Sequence, residues 1–151
     1  MSQPIVLVTF SCLTGETEKL ALSAAVGAVQ ARALIRLRRI PDVDLASTNA
    51  EVVRMRREYI PPAEADVVGA DALIFAAGNG TDALSTPWQE FLNLLLRLSK
   101  EDKLGRKVGA SIGGIPAALG GLGFLTVTQL SSDPLALGRS VAEMARSLKS
   151  S

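Results

Sequence analysis

Histidine is absent from this sequence, and cysteine occurs once, as Cys12. Without imidazole there is no Ser-His-Asp or Cys-His relay, no histidine proton shuttle and no zinc centre of the cysteine–histidine kind. A single cysteine excludes a disulfide scaffold. An excess of one charge is missing too: 16 basic against 15 acidic residues leave +1. That balance gives no footprint for nucleic acid and no acidic docking surface. A basic leader is lacking at Met1-Ser2-Gln3-Pro4, and the apolar run Ile5–Phe10 is too short for a signal peptide. Chemistry in such a chain points to a bound cofactor.

What is present is apolar. Of 151 residues, 48% are hydrophobic and 21% charged, which excludes disorder and fits one domain over residues 1–151. A chain of this size buries roughly 70% of its unfolded surface. From Val108 to Ser132 no charged residue occurs over 25 positions, a length that could span a bilayer. Six glycines and Pro116 interrupt it, however, and it divides around Gly120-Gly121-Leu122-Gly123. It reads as strand, glycine loop and strand inside a covered sheet, with no membrane span and a cytoplasmic setting.

Short β-branched runs alternate with helical spacing. Ile5–Phe10 is continuously apolar, as a parallel strand buried on both faces should be. Further strands are expected at Ala33–Leu37, Leu73–Ala77, Val108–Ile112 and Leu125–Gln129. Helices are expected at Thr17–Val29, Glu51–Tyr59, Pro62–Gly69 and from Thr86-Pro87 to about Lys100. Pro41–Ala50 reads as a loop. Asp133-Pro134 caps a last helix with Leu137, Val141, Met144, Ala145 and Leu148 on its apolar face. Gly113–Phe124 leaves 12 residues for a crossover, room for a helix of about two turns near Ile115–Leu119. Interleaving of this kind predicts a doubly wound, five-stranded parallel α/β sheet. Ligands bind such sheets at the carboxyl ends of strands, near the reversal of strand order.

Three of those loops are rich in glycine and hydrogen-bonding groups. Ser11-Cys12-Leu13-Thr14-Gly15-Glu16-Thr17 joins the first strand to a helix N-terminus, where free N–H groups bind phosphate without lysine or arginine. Gly78-Asn79-Gly80-Thr81-Asp82 follows the third strand. Ile112-Gly113-Gly114 follows the fourth. A plain capped helix start, with Glu16 and Glu18 complementing the dipole, is the structural alternative at the first loop, and an acidic first turn is mildly unfavourable beside a phosphate. Tight turns are the alternative at the other two. Cys12 is either a reactive thiol at a helix N-terminus or a small packed residue. Between Arg32 and Arg57 lie seven arginines. Arg54, Arg56 and Arg57 sit on an expected surface helix, as solvated charge or as a magnet for the 2′-phosphate of NADPH or an acidic partner.

The first loop resembles the flavodoxin phosphate loop, which runs Thr/Ser, any, Thr, Gly, any, Thr. Thr14, Gly15 and Thr17 match it, Cys12 stands where Thr or Ser is expected, and Glu18 is common at its position in that family. Ala65-Asp66, Gly69-Ala70-Asp71-Ala72, Phe91-Leu92 and Gly105-Arg106-Lys107 are similar to the pattern of Trp-repressor-binding-protein-type quinone reductases. The resemblance implies a flavodoxin-like, three-layer α/β/α fold. It implies FMN with its phosphate on Ser11–Thr17 and its ring between Gly78–Asp82 and Ile112–Gly114. NAD(P)H would be the electron donor and a quinone or similar small molecule the acceptor.

Departures are visible. The first ring loop lacks the family's Pro-Thr-Arg, the second lacks its hydroxyls, and neither carries an aromatic residue. Trp88, in the first turn of the helix that follows the first ring loop, reads as a core residue or a ring contact. Two other readings therefore stand: a flavodoxin fold without flavin that serves as an interaction module, and a one-electron carrier, which the near-neutral charge disfavours. Backbone N–H groups of glycine loops can still contact a flavin and tune it. A mean hydropathy of +0.28 points to exposed apolar surface and a homodimer.

Overall fold

The computed structural model describes residues 3–11, 15–40, 50–77, 86–104, 107–112, 125–126 and 133–150. Along them run β1 (Ile5–Ser11), α1 (Gly15–Gln30), β2 (Leu34–Arg39), α2 (Ala50–Glu58), α3 (Glu64–Gly69) and β3 (Ala72–Ala77). α4 (Thr86–Lys100), β4 (Val108–Ile112), β5 (Leu125–Thr126) and α5 (Pro134–Ser150) follow. The sheet order is β2-β1-β3-β4-β5, with every pairing parallel. β5 is described over two residues only, Leu125 opposite Val108 and Thr126 opposite Gly109. Its expected continuation to Gln129, and the expected helix at 115–119, lie outside the described residues.

β1 is apolar throughout because both its faces are covered. Val6, Val8 and Phe10 point to one side with Ala72, Ile74 and Ala76 of β3 and Val108, Ala110 and Ile112 of β4, beneath α1 and α5. Leu7, Leu73 and Phe75 point to the other, against Val67 of α3 and Phe91, Leu92, Leu95 and Leu98 of α4. Alternation of side chains along each strand divides the residues this way.

α1 and α5 lie backbone to backbone. A Cβ on Gly27 would stand 1.9 Å from the Leu135 carbonyl oxygen, and one on Gly138 would stand 1.9 Å from that of Ala24. Ala21, Ala24, Ala25 and Ala28 of α1 and Ala142 and Ala145 of α5 fill the rest of this side of the core. α5 starts as its sequence predicts, with the Leu135 N–H donating to Asp133 Oδ1 at 3.1 Å and Pro134 at the first helical position.

Several expected boundaries and faces are corrected. α1 begins at Gly15, two residues before the expected start, so Gly15 and Glu16 belong to the helix. Ala50 opens α2 instead of closing a loop, and α3 starts at Glu64, not Pro62. β2 runs to Arg39, past the expected end at Leu37, because its pairing with β1 continues through Arg38 opposite Thr9 and Arg39 opposite Phe10. Met144 is 40% exposed, and Ala142 takes the place assigned to it on the buried face of α5.

Candidate functional site

Parallel register brings three strand ends to one level. Ser11 lies opposite Ala77, and Ala76 opposite Ile112. From β1 the chain moves to β2 on one side and from β3 to β4 on the other, and this reversal between β1 and β3 marks the binding edge of such sheets. The three candidate loops therefore leave adjacent strands at one edge. Ser11 ends β1, while Gly15, Glu16 and Thr17 form the first turn of α1. Thr17 is buried, and the Ile112 side chain packs in the core beneath α1 and α5. Cys12, Leu13, Thr14, Gly78, Asn79, Gly80, Thr81, Asp82, Gly113 and Gly114 lie outside the described residues.

A polar cluster flanks the start of α1. Glu18, 6% exposed, receives Arg54 on both carboxylate oxygens, Nη2 to Oε1 at 2.5 Å and Nη1 to Oε2 at 3.0 Å. The Tyr59 hydroxyl donates to Oε2 at 2.6 Å. Bidentate, charge-assisted pairing of this kind is among the stronger polar contacts in proteins. It holds the Glu18 carboxyl below its ordinary range against the opposing effect of burial, with Tyr59 and the charge of Arg39 adding to the effect. Arg54 Nη1 also meets Glu58 Oε2 at 2.7 Å, so Arg54 is a paired residue and not the solvated surface charge expected. Arg54 and Arg57, with Ala50, Val53 and Glu58, line an open depression of about 440 Å³ on α2.

Other arginines of the same stretch serve the fold. Arg38 forks onto Asp66, Nε to Oδ2 at 3.0 Å and Nη2 to Oδ1 at 3.2 Å, and Arg36 approaches the same carboxylate at 3.7 Å. Asp71 accepts the Ile5 N–H at 2.8 Å, tying β3 to the start of β1. Among the described residues, no helix is long and apolar enough to cross a membrane. Among the same residues, no group of three or more His, Cys, Asp or Glu could hold a metal.

No family model matches the chain. Over 111 residues it is 30% identical to an NAD(P)H dehydrogenase (quinone) of Archaeoglobus fulgidus, a match covering 70% of this chain and 58% of that protein. The chain thus spans a little over half the length of this curated relative. A WrbA-like flavodoxin from Agrobacterium tumefaciens superposes with a TM-score of 0.58 at 19% identity, covering 95% of this chain and 98% of its own. Two-electron reduced Megasphaera elsdenii flavodoxin superposes with a TM-score of 0.62 at 16% identity, over 91% and 98% of the two chains. This chain has a flavodoxin-like fold.

In flavodoxin-like terms, the edge shared by Ser11, Ala77 and Ile112 is the carboxyl edge of the three adjacent strands β1, β3 and β4. Tyr59 and the pairing role of Arg54 had no signal in the sequence. Their partner Glu18 lies 41 and 36 residues away, and only the fold brings them together.

Proposed function

We propose that this flavodoxin-like chain binds FMN at the carboxyl edge of β1, β3 and β4 and works as an NAD(P)H-dependent oxidoreductase on a quinone or similar small acceptor. The observation that carries the reading is the convergence of the phosphate-loop sequence, at Ser11 and Gly15, with the ends of β3 and β4 on one edge. The dehydrogenase from Archaeoglobus fulgidus supports the choice of reaction.

The donor set fits the phosphate end of FMN. α1 starts at Gly15, so the N–H groups of Gly15, Glu16 and Thr17 have no carbonyl partner within the helix. Thr14 and Thr17 add hydroxyls, and the one carboxylate described beside them, Glu18, is paired. Gly78–Asp82 and Ile112–Gly114 would hold the ring through backbone groups. Bound FMN supplies two-electron transfer between a nicotinamide and an acceptor, chemistry that this chain's own side chains lack. The chain binds, orients and sets the polarity around the ring, and needs no histidine for that.

The test is fluorescence titration of FMN with the purified protein, followed by NADH and NADPH oxidation with a quinone present. Quenching at micromolar protein, weakened by Thr14→Val, is the expected result. Unquenched FMN and an unshifted visible spectrum overturn the reading.

A further inference from the structure

Glu18 occupies the fourth position of α1, one turn beyond Gly15 and roughly 5 Å along the axis at about 1.5 Å per residue. A carboxylate there favours an empty helix start, but it repels any anion held at the same terminus. The chain keeps this carboxylate and cancels its charge from another element. Arg54, on α2, clasps both oxygens and is itself steadied by Glu58 at 2.7 Å. Tyr59 closes the remaining side of Oε2, at 2.6 Å. Solvent reaches Glu18 poorly, since its side chain is 7% exposed, so its charge is screened by Arg54 more than by water.

Resting on the FMN reading above, we propose that Arg54 is a positioning residue for the phosphate end of the site: by holding and neutralising Glu18 it sets the preference for FMN over riboflavin. Riboflavin shares the ring and the ribityl chain and lacks only the phosphate. Loss of Arg54 as a mere strut would weaken both ligands alike. Loss of its charge cancellation weakens FMN alone.

The experiment is a pair of fluorescence titrations, FMN and riboflavin, on the full chain and on Arg54→Ala, Glu18→Gln and the double variant. An uncompensated like charge within two helical turns, at an effective dielectric of about 20, should weaken FMN binding by Arg54→Ala about tenfold or more. Riboflavin affinity should move less than about threefold, within the worth of an exposed pair. Glu18→Gln placed in the Arg54→Ala background should recover most of the FMN loss. Parallel losses for the two flavins, or no recovery in the double variant, overturn the proposal. Should Arg54→Ala fail to fold, Glu18→Gln alone decides, with FMN expected to bind more tightly and riboflavin unchanged; an unchanged FMN affinity overturns it. A wild-type protein that binds both flavins equally overturns this proposal and leaves the FMN site standing. Binding of neither flavin overturns the site itself, and this proposal with it.

Discussion

Tyr59 donates its hydroxyl to Glu18 Oε2 over 2.6 Å while its ring meets Phe10 edge-on, 4.9 Å between centroids at 88°. One side chain thus joins the segment after α2 to the second turn of α1 and to β1. Burial first, and then donation to the charged Glu18, hold the Tyr59 phenol above its ordinary value of 10.0. A raised folded value contributes stability that is whole below pH 10.0 and is lost as pH climbs past it towards the folded value. Tyr59 is the only tyrosine, so tyrosinate absorbance reports it alone. In an alkaline titration the native protein should ionise later than the protein in denaturant, and Glu18→Gln should bring the native curve earlier. Coincident native and denatured curves would refute the buried bond.

The acid side has the opposite sign. Pairing with Arg54 is the main cause that lowers the Glu18 carboxyl below 4.5, with burial opposing it. Its contribution is therefore present above pH 4.5 and is lost as pH falls through the lower, folded value. Arg54 is 37% exposed, so solvent screening limits the pair to about 1 kcal/mol. Glu18→Gln should lower stability at neutral pH by about that amount, and its stability should fall less steeply below pH 4.5. Urea midpoints across this range provide the check; a variant whose acid limb parallels the wild type contradicts the pairing.

Gly138 meets the Ala24 carbonyl oxygen where an added Cβ would stand at 1.9 Å. In an exposed helix, alanine for glycine gains about 1 kcal/mol. Here the two helices must separate, and overpacking of this kind costs typically about 1–3 kcal/mol and occasionally more. Gly138→Ala should therefore destabilise the fold by about 2 kcal/mol or more, and Gly27→Ala should do the same against Leu135. Gly69 is the contrast. Its nearest neighbour would be Arg36 Nη1 at 3.8 Å, an ordinary contact, so Gly69→Ala should stay within about 0.5 kcal/mol of the wild type. Thermal or urea unfolding of the three variants separates the sites.

These relationships divide into those readable locally and those that need the fold. β1 was legible because burial on both faces demands an unbroken apolar run, and Val6, Leu7 and Val8 supply it. The passage from β1 to α1 was legible to within two residues, with β1 ending at Ser11 and α1 starting at Gly15, because the apolar period changes there. The end of β2 was not. Arg38 and Arg39 look like a strand's solvent end, yet Asp66, 28 residues on, receives Arg38, and Arg39 is buried. Met144 misled for a geometric reason: it follows Val141 by three residues, and the buried face of α5 passes through Ala142 and Ala145 instead. The charge balance at Glu18 was hidden the same way, since Arg54 and Tyr59 sit far off in sequence. Sequence thus marked the strands whose ends form this edge of the sheet, while the electrostatics beside it came from tertiary pairing.

Asp66 extends that point to stability, because one carboxylate serves two elements. It accepts the Arg38 fork from β2, and its Oδ2 also accepts the Ala63 N–H at 3.0 Å, capping α3 from its third position. Its side chain is 10% exposed and that of Arg38 is 22% exposed, so water replaces either partner poorly. Asp66→Ala removes the fork and the cap together and should cost about 2–3 kcal/mol. Arg38→Ala leaves the cap and the approach of Arg36 in place and should cost about 1 kcal/mol less. The double variant should fall short of the sum of the singles, since both delete the same fork. Urea midpoints with unchanged slopes measure all three, and strict additivity would show that Asp66 and Arg38 do not support each other.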